Sequence, residues 1–182
     1  MSVFNSVAEI YEDLDATRAR LVGAVERLTA EQHAFRPTPE RWSVAEIIEH
    51  LSIVEGRVAR VVGKMLGKLE ASDARAVGSP FGPVSVSEFV ERSRTEKYKA
   101  PDEIRPKGAP LADSLAHLRD SRAALRGLRE RVERVDGARA HFPHPVWGPL
   151  DLYQWLAFVG AHEQRHLDQI EALKEAMGAP RG

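Results

Sequence analysis

Two histidines, His162 and His166, stand four residues apart in the stretch Ala161-His162-Glu163-Gln164-Arg165-His166-Leu167-Asp168-Gln169-Ile170. On a helix that spacing places both imidazoles on one face, one above the other, so both can grip a single ion. Leu152, Trp155, Leu156, Val159, Ile170 and Leu173 recur around them at three-and-four spacing, and both histidines fall inside that apolar stripe. They should therefore face a core. A buried imidazole without partners costs on the order of 1–3 kcal/mol. Ligation at a complete zinc site returns roughly ten, so the pair predicts a third ligand elsewhere in the chain.

Three kinds of metal chemistry use such a stretch. His162-Glu163-Gln164-Arg165-His166 satisfies HExxH, the zinc metalloprotease motif in which the glutamate is the general base. The extended form needs a third histidine where Ala172 stands, which disfavours it. Glu163 and His166 also have the Glu-x-x-His spacing of di-iron bundles, but those need a second such motif, and Glu46 and His50 are four apart. The third reading adds His50, at the border of the apolar face of another helix, as a mononuclear three-histidine site. Three neutral imidazoles favour zinc or nickel over magnesium or calcium and leave a position for water or substrate.

Other residues stand close to this chemistry. Glu163, between the two histidines, is a candidate base or a support for the ligands, with a helix-face salt bridge as the plain alternative. Arg18 and Arg122 each interrupt the apolar stripe of their helix. They either snorkel at a bundle edge or line a pocket and accept a substrate carboxylate or phosphate bidentately. His141 and His144, in a proline-rich aromatic run, are expected in a loop and not as ligands.

Four amphipathic helices must position these groups. Val7, Ile10, Leu14, Leu21, Val25 and Leu28 mark the first, from about Ser6 to Leu28. Thr29 with Gln32 has capping-box spacing, and Arg36-Pro37-Thr38-Pro39 breaks any helix there. Ser43 with Glu46 opens the second, whose apolar face runs from Val44 to Leu69. Leu115, Leu118, Leu125, Leu128 and Val132 define a third over about Leu111 to Val135, and Asp151 caps a fourth that runs to about Met177. Residues 71–110, with prolines at 80, 83, 101, 106 and 110, read as a long crossover or lid with room for one short helix at 87–95. The pattern predicts an all-α four-helix bundle with that crossover between helices two and three, a single domain over residues 1–182. Such a crossover permits helices two and three to run parallel.

The 182 residues carry 26 lysines and arginines against 27 acids, a net charge of −1. No global field therefore draws the chain to nucleic acid or an anionic membrane. The absence of cysteine excludes disulfides, thiolate ligands and a catalytic thiol of the chain's own. No signal-peptide pattern or long apolar run stands out, so the expected address is the cytoplasm.

Three stretches stand out together: Arg41-Trp42-Ser43-Val44-Ala45-Glu46-Ile47-Ile48-Glu49-His50-Leu51, then Lys99-Ala100-Pro101-Asp102-Glu103 with Pro106-Lys107-Gly108, and last His144-Pro145-Val146-Trp147-Gly148-Pro149-Leu150 through Trp155 to His162, His166 and Gln169-Ile170. They carry a resemblance to the DinB-like family of small four-helix-bundle metalloenzymes. It implies one divalent metal on His50, His162 and His166, frequently in a homodimer. It also implies a small-molecule substrate, a low-molecular-weight thiol among the candidates, in a transferase or hydrolase reaction. A bundle that binds metal or a small ligand without turnover, linked to stress, is the alternative.

Overall fold

The computed structural model describes residues 3–72, 81–87, 90–92 and 100–178. The long helices are α1 (Val7–Val25), α3 (Val44–Ala71), α4 (Leu111–Gly127) and α6 (Leu152–Ala176), with short helices α2 (Ala30–Ala34) and α5 (Arg129–Val132) between them. The helices begin mostly where the sequence supplies an acceptor for their orphan N–H groups. Ser6 accepts from the Glu9 N–H, and Thr29, Ser43 and Asp151 each form a reciprocal capping box with Gln32, Glu46 and Gln154. The expected third helix is interrupted: α4 ends at Gly127, and the Leu128 N–H turns back to Leu125 before α5 resumes. Glycine is a poor helix former, and the tightened turn offsets the last stretch.

The apolar interior is divided into two clusters, and the division fixes the direction of each helix. Ile10 and Leu14 of α1, Val62 and Leu66 of α3, Leu125 of α4 and Leu152 and Leu156 of α6 fill one half. Leu21, Ile48, Leu118 and Ile170, from the same four helices, fill the other. Helices α1 and α6 therefore run from the first half to the second, while α3 and α4 run from the second to the first. The order is up, down, down, up, and the parallel pair α3–α4 is what the crossover makes possible. Helix α1 packs along α6, and α3 packs along both α4 and α6.

Two small antiparallel ribbons were not expected. β1 (Val3–Phe4) pairs with β2 (Val84–Ser85), tying the start of the chain to the crossover. β3 (His141–His144) and β4 (Gly148–Asp151) form a hairpin in which Pro143 stands opposite Pro149. Neither proline has an N–H for the ladder, so the strand signal is hidden in sequence, and His141 and His144 belong to a hairpin and not to an open loop. Gly148 takes a φ of 73° at the turn, which only glycine adopts without strain. Much of the anticipated lid and of the helix at 87–95, together with Lys99, lies outside the described residues. Among the described residues, no helix is long and apolar enough to cross a membrane.

Candidate metal centre

His50 lies on the second turn of α3, and His162 and His166 lie on consecutive turns of the antiparallel helix α6. The bundle brings them together so that their ligating nitrogens all lie within 4.8 Å of one another. The Nε2 of His162 stands 3.4 Å from that of His50 and 3.2 Å from that of His166. His50 and His166 are each 3 % exposed, and His162 is half-buried. His50, expected at the border of its apolar face, is buried, with the Ile104 carbonyl of the 3-10 turn Asp102–Ile104 and the Trp42 ring against its imidazole.

The far side of two rings is tied down. His50 Nδ1 donates to the Ile104 carbonyl at 2.7 Å, and His166 Nδ1 donates to Gln169 Oε1 at 2.8 Å. A carbonyl can only accept, so these rings carry their proton on Nδ1 and turn a bare Nε2 lone pair inward. His162 has at most one Nε2 proton to offer both neighbours, so no arrangement of protons on neutral rings satisfies all three. A divalent cation would supply what the protons cannot, and three imidazole nitrogens are a donor set that could hold one.

Burial pushes the His50 imidazole below its ordinary pKa, partly offset by the bond to Ile104, with Arg165 adding repulsion. Burial and the neighbouring imidazoles drive His162 well below, and burial, His50 and Arg165 do the same for His166 against the bond to Gln169. All three rings are therefore neutral at pH 7, the form that binds metal.

Aromatic rings wall the cluster. Trp42 lies 4.9 Å from the His50 ring and 6.5 Å from His166, centre to centre, and Phe158 stacks on His162 at 5.3 Å. Behind Phe158 stand Trp155 and His144. His144 Nδ1 accepts from the N–H groups of Val146 and Trp147 at 3.1 and 3.3 Å, which places its proton on Nε2, and burial lowers its pKa to about 4.

The remaining candidates are next to this cluster but engaged with one another. Arg18 of α1 donates to Glu163, to Glu55 and to the Leu118 carbonyl. Arg122 of α4 donates to Glu55 at 3.1 and 3.2 Å, to Glu163 at 2.9 Å and to the Leu14 carbonyl. Burial alone would push the Arg122 guanidinium towards losing its proton. The two carboxylates more than offset this and hold its pKa above the ordinary value. Both Glu163 oxygens thus face arginines, and both arginines are directed at carboxylates already within the bundle.

Sequence patterns alone did not single out Glu55, although it follows Leu51 and precedes Val58 on a buried face, a charge where an apolar residue fits. Two core-facing arginines need buried carboxylates beside them, and that need is the signal in the sequence that points to Glu55. Glu49 was also missed; it is 4 % exposed and its partners are backbone groups, which leave no side-chain pattern. A separate cleft of about 460 Å³, bordered by Ser6, Phe81, Asp136, Asp151 and Tyr153, includes none of the three histidines.

Residues 13–170 match the family model described as the DinB superfamily. An uncharacterized protein of Bacillus subtilis, YuaE, is 30% identical over 182 residues, covering 96% of this chain and 97% of its own length. Two solved structures share the fold. The four-helix bundle protein TT2238 superposes with a TM-score of 0.62 at 21% identity, over 92% of this chain and 99% of its own. YfiT from Bacillus subtilis, described as a probable metal-dependent hydrolase with an unusual four-helix bundle topology, gives 0.61 at 22% identity over 96% and 89%. With the family match spanning most of the bundle and a full-length relative beside it, this chain belongs to the DinB superfamily.

Proposed function

We propose that the chain is a metal-dependent enzyme acting on a small molecule, with one divalent ion, zinc or nickel, held by His50, His162 and His166. The observation that carries this is the convergence of three imidazole nitrogens within 4.8 Å of one another, two of the rings fixed from behind by Ile104 and Gln169. The description of YfiT as a probable metal-dependent hydrolase supports the reaction class. A divalent ion in a three-histidine set supplies a Lewis acid with an open position, where water or a low-molecular-weight thiol is activated by a lowered pKa.

The chain's own residues supply the rest. Trp42 and Phe158 exclude water from two sides, and His162, the least buried of the three histidines, marks the approach. Arg18, Arg122 and Glu163 hold helices and are not substrate ligands or a base in this reading, since their hydrogen bonds are spent on each other. Hydrolysis and thiol transfer share this geometry, and the lack of any cysteine fits an external thiol. Family resemblance extends the proposal to a homodimer, which sedimentation analysis tests.

The decisive experiment is the metal content of protein purified without a histidine tag, against His50→Ala and His166→Ala. About one zinc or nickel per chain, lost in both variants, supports the proposal and justifies screening esters, amides and thiol–electrophile pairs for turnover. Absence of metal in the wild type, with no uptake on titration with either ion, overturns it. Tight metal binding without turnover across those panels favours a binding bundle instead.

A further inference from the structure

Beside the first ligand, Glu49 makes an arrangement that the three-histidine reading does not use. Its buried carboxylate accepts three consecutive backbone amides, from Lys107 to Oε1 at 2.7 Å and from Gly108 and Ala109 to Oε2 at 2.9 and 3.0 Å. Gly108 sits at φ 88°, the left-handed conformation that lets successive N–H groups converge on one anion. Arg105, Lys107 and Ala109 are exposed, and Ile104 and Pro106, though half-buried, belong to neither apolar cluster. Backbone bonds to α3 hold it: the three to Glu49, His50 Nδ1 to the Ile104 carbonyl at 2.7 Å, and Arg57 to the Glu103 carbonyl at 2.9 Å.

We propose that Glu49 is a positioning residue for the metal centre, holding residues 107–109 against α3 so that the Ile104 carbonyl fixes the tautomer and orientation of His50. The proposal rests on the three-histidine reading for its consequence, but not for its geometry. The sequence Glu49-His50 puts an anchor and a ligand on adjacent positions of one helix. The anchor fastens the far end of a strap whose near end faces the ligand. A carbonyl behind a ligating imidazole raises its basicity and fixes which nitrogen is bare, and losing such a partner typically costs about 10–100-fold in metal affinity.

The test uses the full chain as Glu49→Ala and Gly108→Val. The second variant distorts the same strap from its exposed side without touching the core: a Cβ there meets nothing within 4 Å, so its effect is backbone strain. In metal-free protein the Nδ1 protons of His50 and His166 are followed by NMR. The His50 signal should exchange much faster in both variants, while that of His166, held by Gln169 on its own helix, stays as in the wild type. Zinc, measured by chelator competition, should bind about 10–100-fold more weakly. An unchanged His50 proton in both variants overturns the proposal, as does zinc affinity equal to wild type once that proton is lost. Failure of the wild type to take up zinc would instead strike the proposed function, and the His50 proton would still decide what Glu49 does.

Discussion

Two polar clusters share the interior of this bundle, and they are built on opposite terms. Arg18, Glu55, Arg122 and Glu163 come one from each long helix and sit between the two apolar clusters, two cations against two anions. The three histidines come from only two helices, α3 and α6, carry no charge at neutral pH, and leave nitrogen lone pairs facing one another. The first cluster is closed: its charges find their partners inside the chain. The second has the donor set that the proposed divalent ion would complete. A bundle can bury charge where geometry saturates it, and a site that must bind can be recognised by what it leaves unsatisfied.

The largest effect expected from this contrast is on the closed cluster. Removing one member leaves a buried charge without its counterpart, so Arg122→Ala should destabilise the chain by about 3–5 kcal/mol, read as a lowered midpoint in urea unfolding. Replacing all four residues together by leucine and methionine should cost far less than that single change. If Arg122→Ala unfolds no more easily than wild type, the cluster is not the clamp its geometry describes.

The open cluster should behave in the reverse way. His166→Leu puts an apolar residue on an apolar face, so the metal-free variant should match or exceed the metal-free wild type in stability. Its cost should appear only with metal present. At a thousandfold excess of free zinc over its dissociation constant the wild type gains about 4 kcal/mol, and the variant should gain little. Thermal unfolding of both proteins with zinc and with chelator makes the comparison. Equal stabilisation of both by zinc would place the ion elsewhere.

The same contrast explains what was legible in sequence. Helix caps and apolar stripes are local patterns, so the four long helices and the inward direction of His162, His166, Arg18 and Arg122 can be read without a structure. The long crossover told that helices two and three could run parallel, and the core shows that they do. Pairing across the bundle is not local: Arg18 meets Glu163 over 145 positions of sequence, and no periodicity names that partner. The strap at 103–109 is held by backbone groups, and the β3–β4 hairpin carries facing prolines. In both, the interactions that make the structure are ones side-chain patterns do not record.

Acidification should separate the regions further, by a smaller effect. Burial holds His144 at about pKa 4, against about 6.5 for an unfolded histidine. Between those values the unfolded chain binds a proton that the folded chain refuses. The stability from His144 is thus whole above pH 6.5, declines as the pH falls towards 4 and is constant below. The lowered pKa values of His50, His162 and His166 act with the same sign. His144→Asn keeps an oxygen able to accept from Val146 and Trp147 but does not titrate. It should therefore lose less stability than the wild type between pH 6.5 and 4.5. An identical slope in the two proteins would show that His144 is not shielded in the fold.

The smallest effect tests whether the two clusters are mechanically separate. A Cβ at Gly160 would fall 2.6 Å from Asp13 Oδ2 and 3.4 Å from Leu14 Cδ2, so Gly160→Ala presses α6 against α1. The closest atom is the end of a side chain that can turn aside, so an overpacking cost of about 1–2 kcal/mol is offset by about 1 kcal/mol from alanine's better helix propensity. Helix α1 supplies Arg18 to the charged cluster but nothing to the histidines, which depend on α3 and α6. Gly160→Ala should therefore lower stability slightly while leaving zinc affinity at the wild-type value. A fall in affinity larger than the change in stability would mean that α1 displaces α6 as a rigid body, and that the charged cluster transmits position to the metal centre as well as holding the bundle.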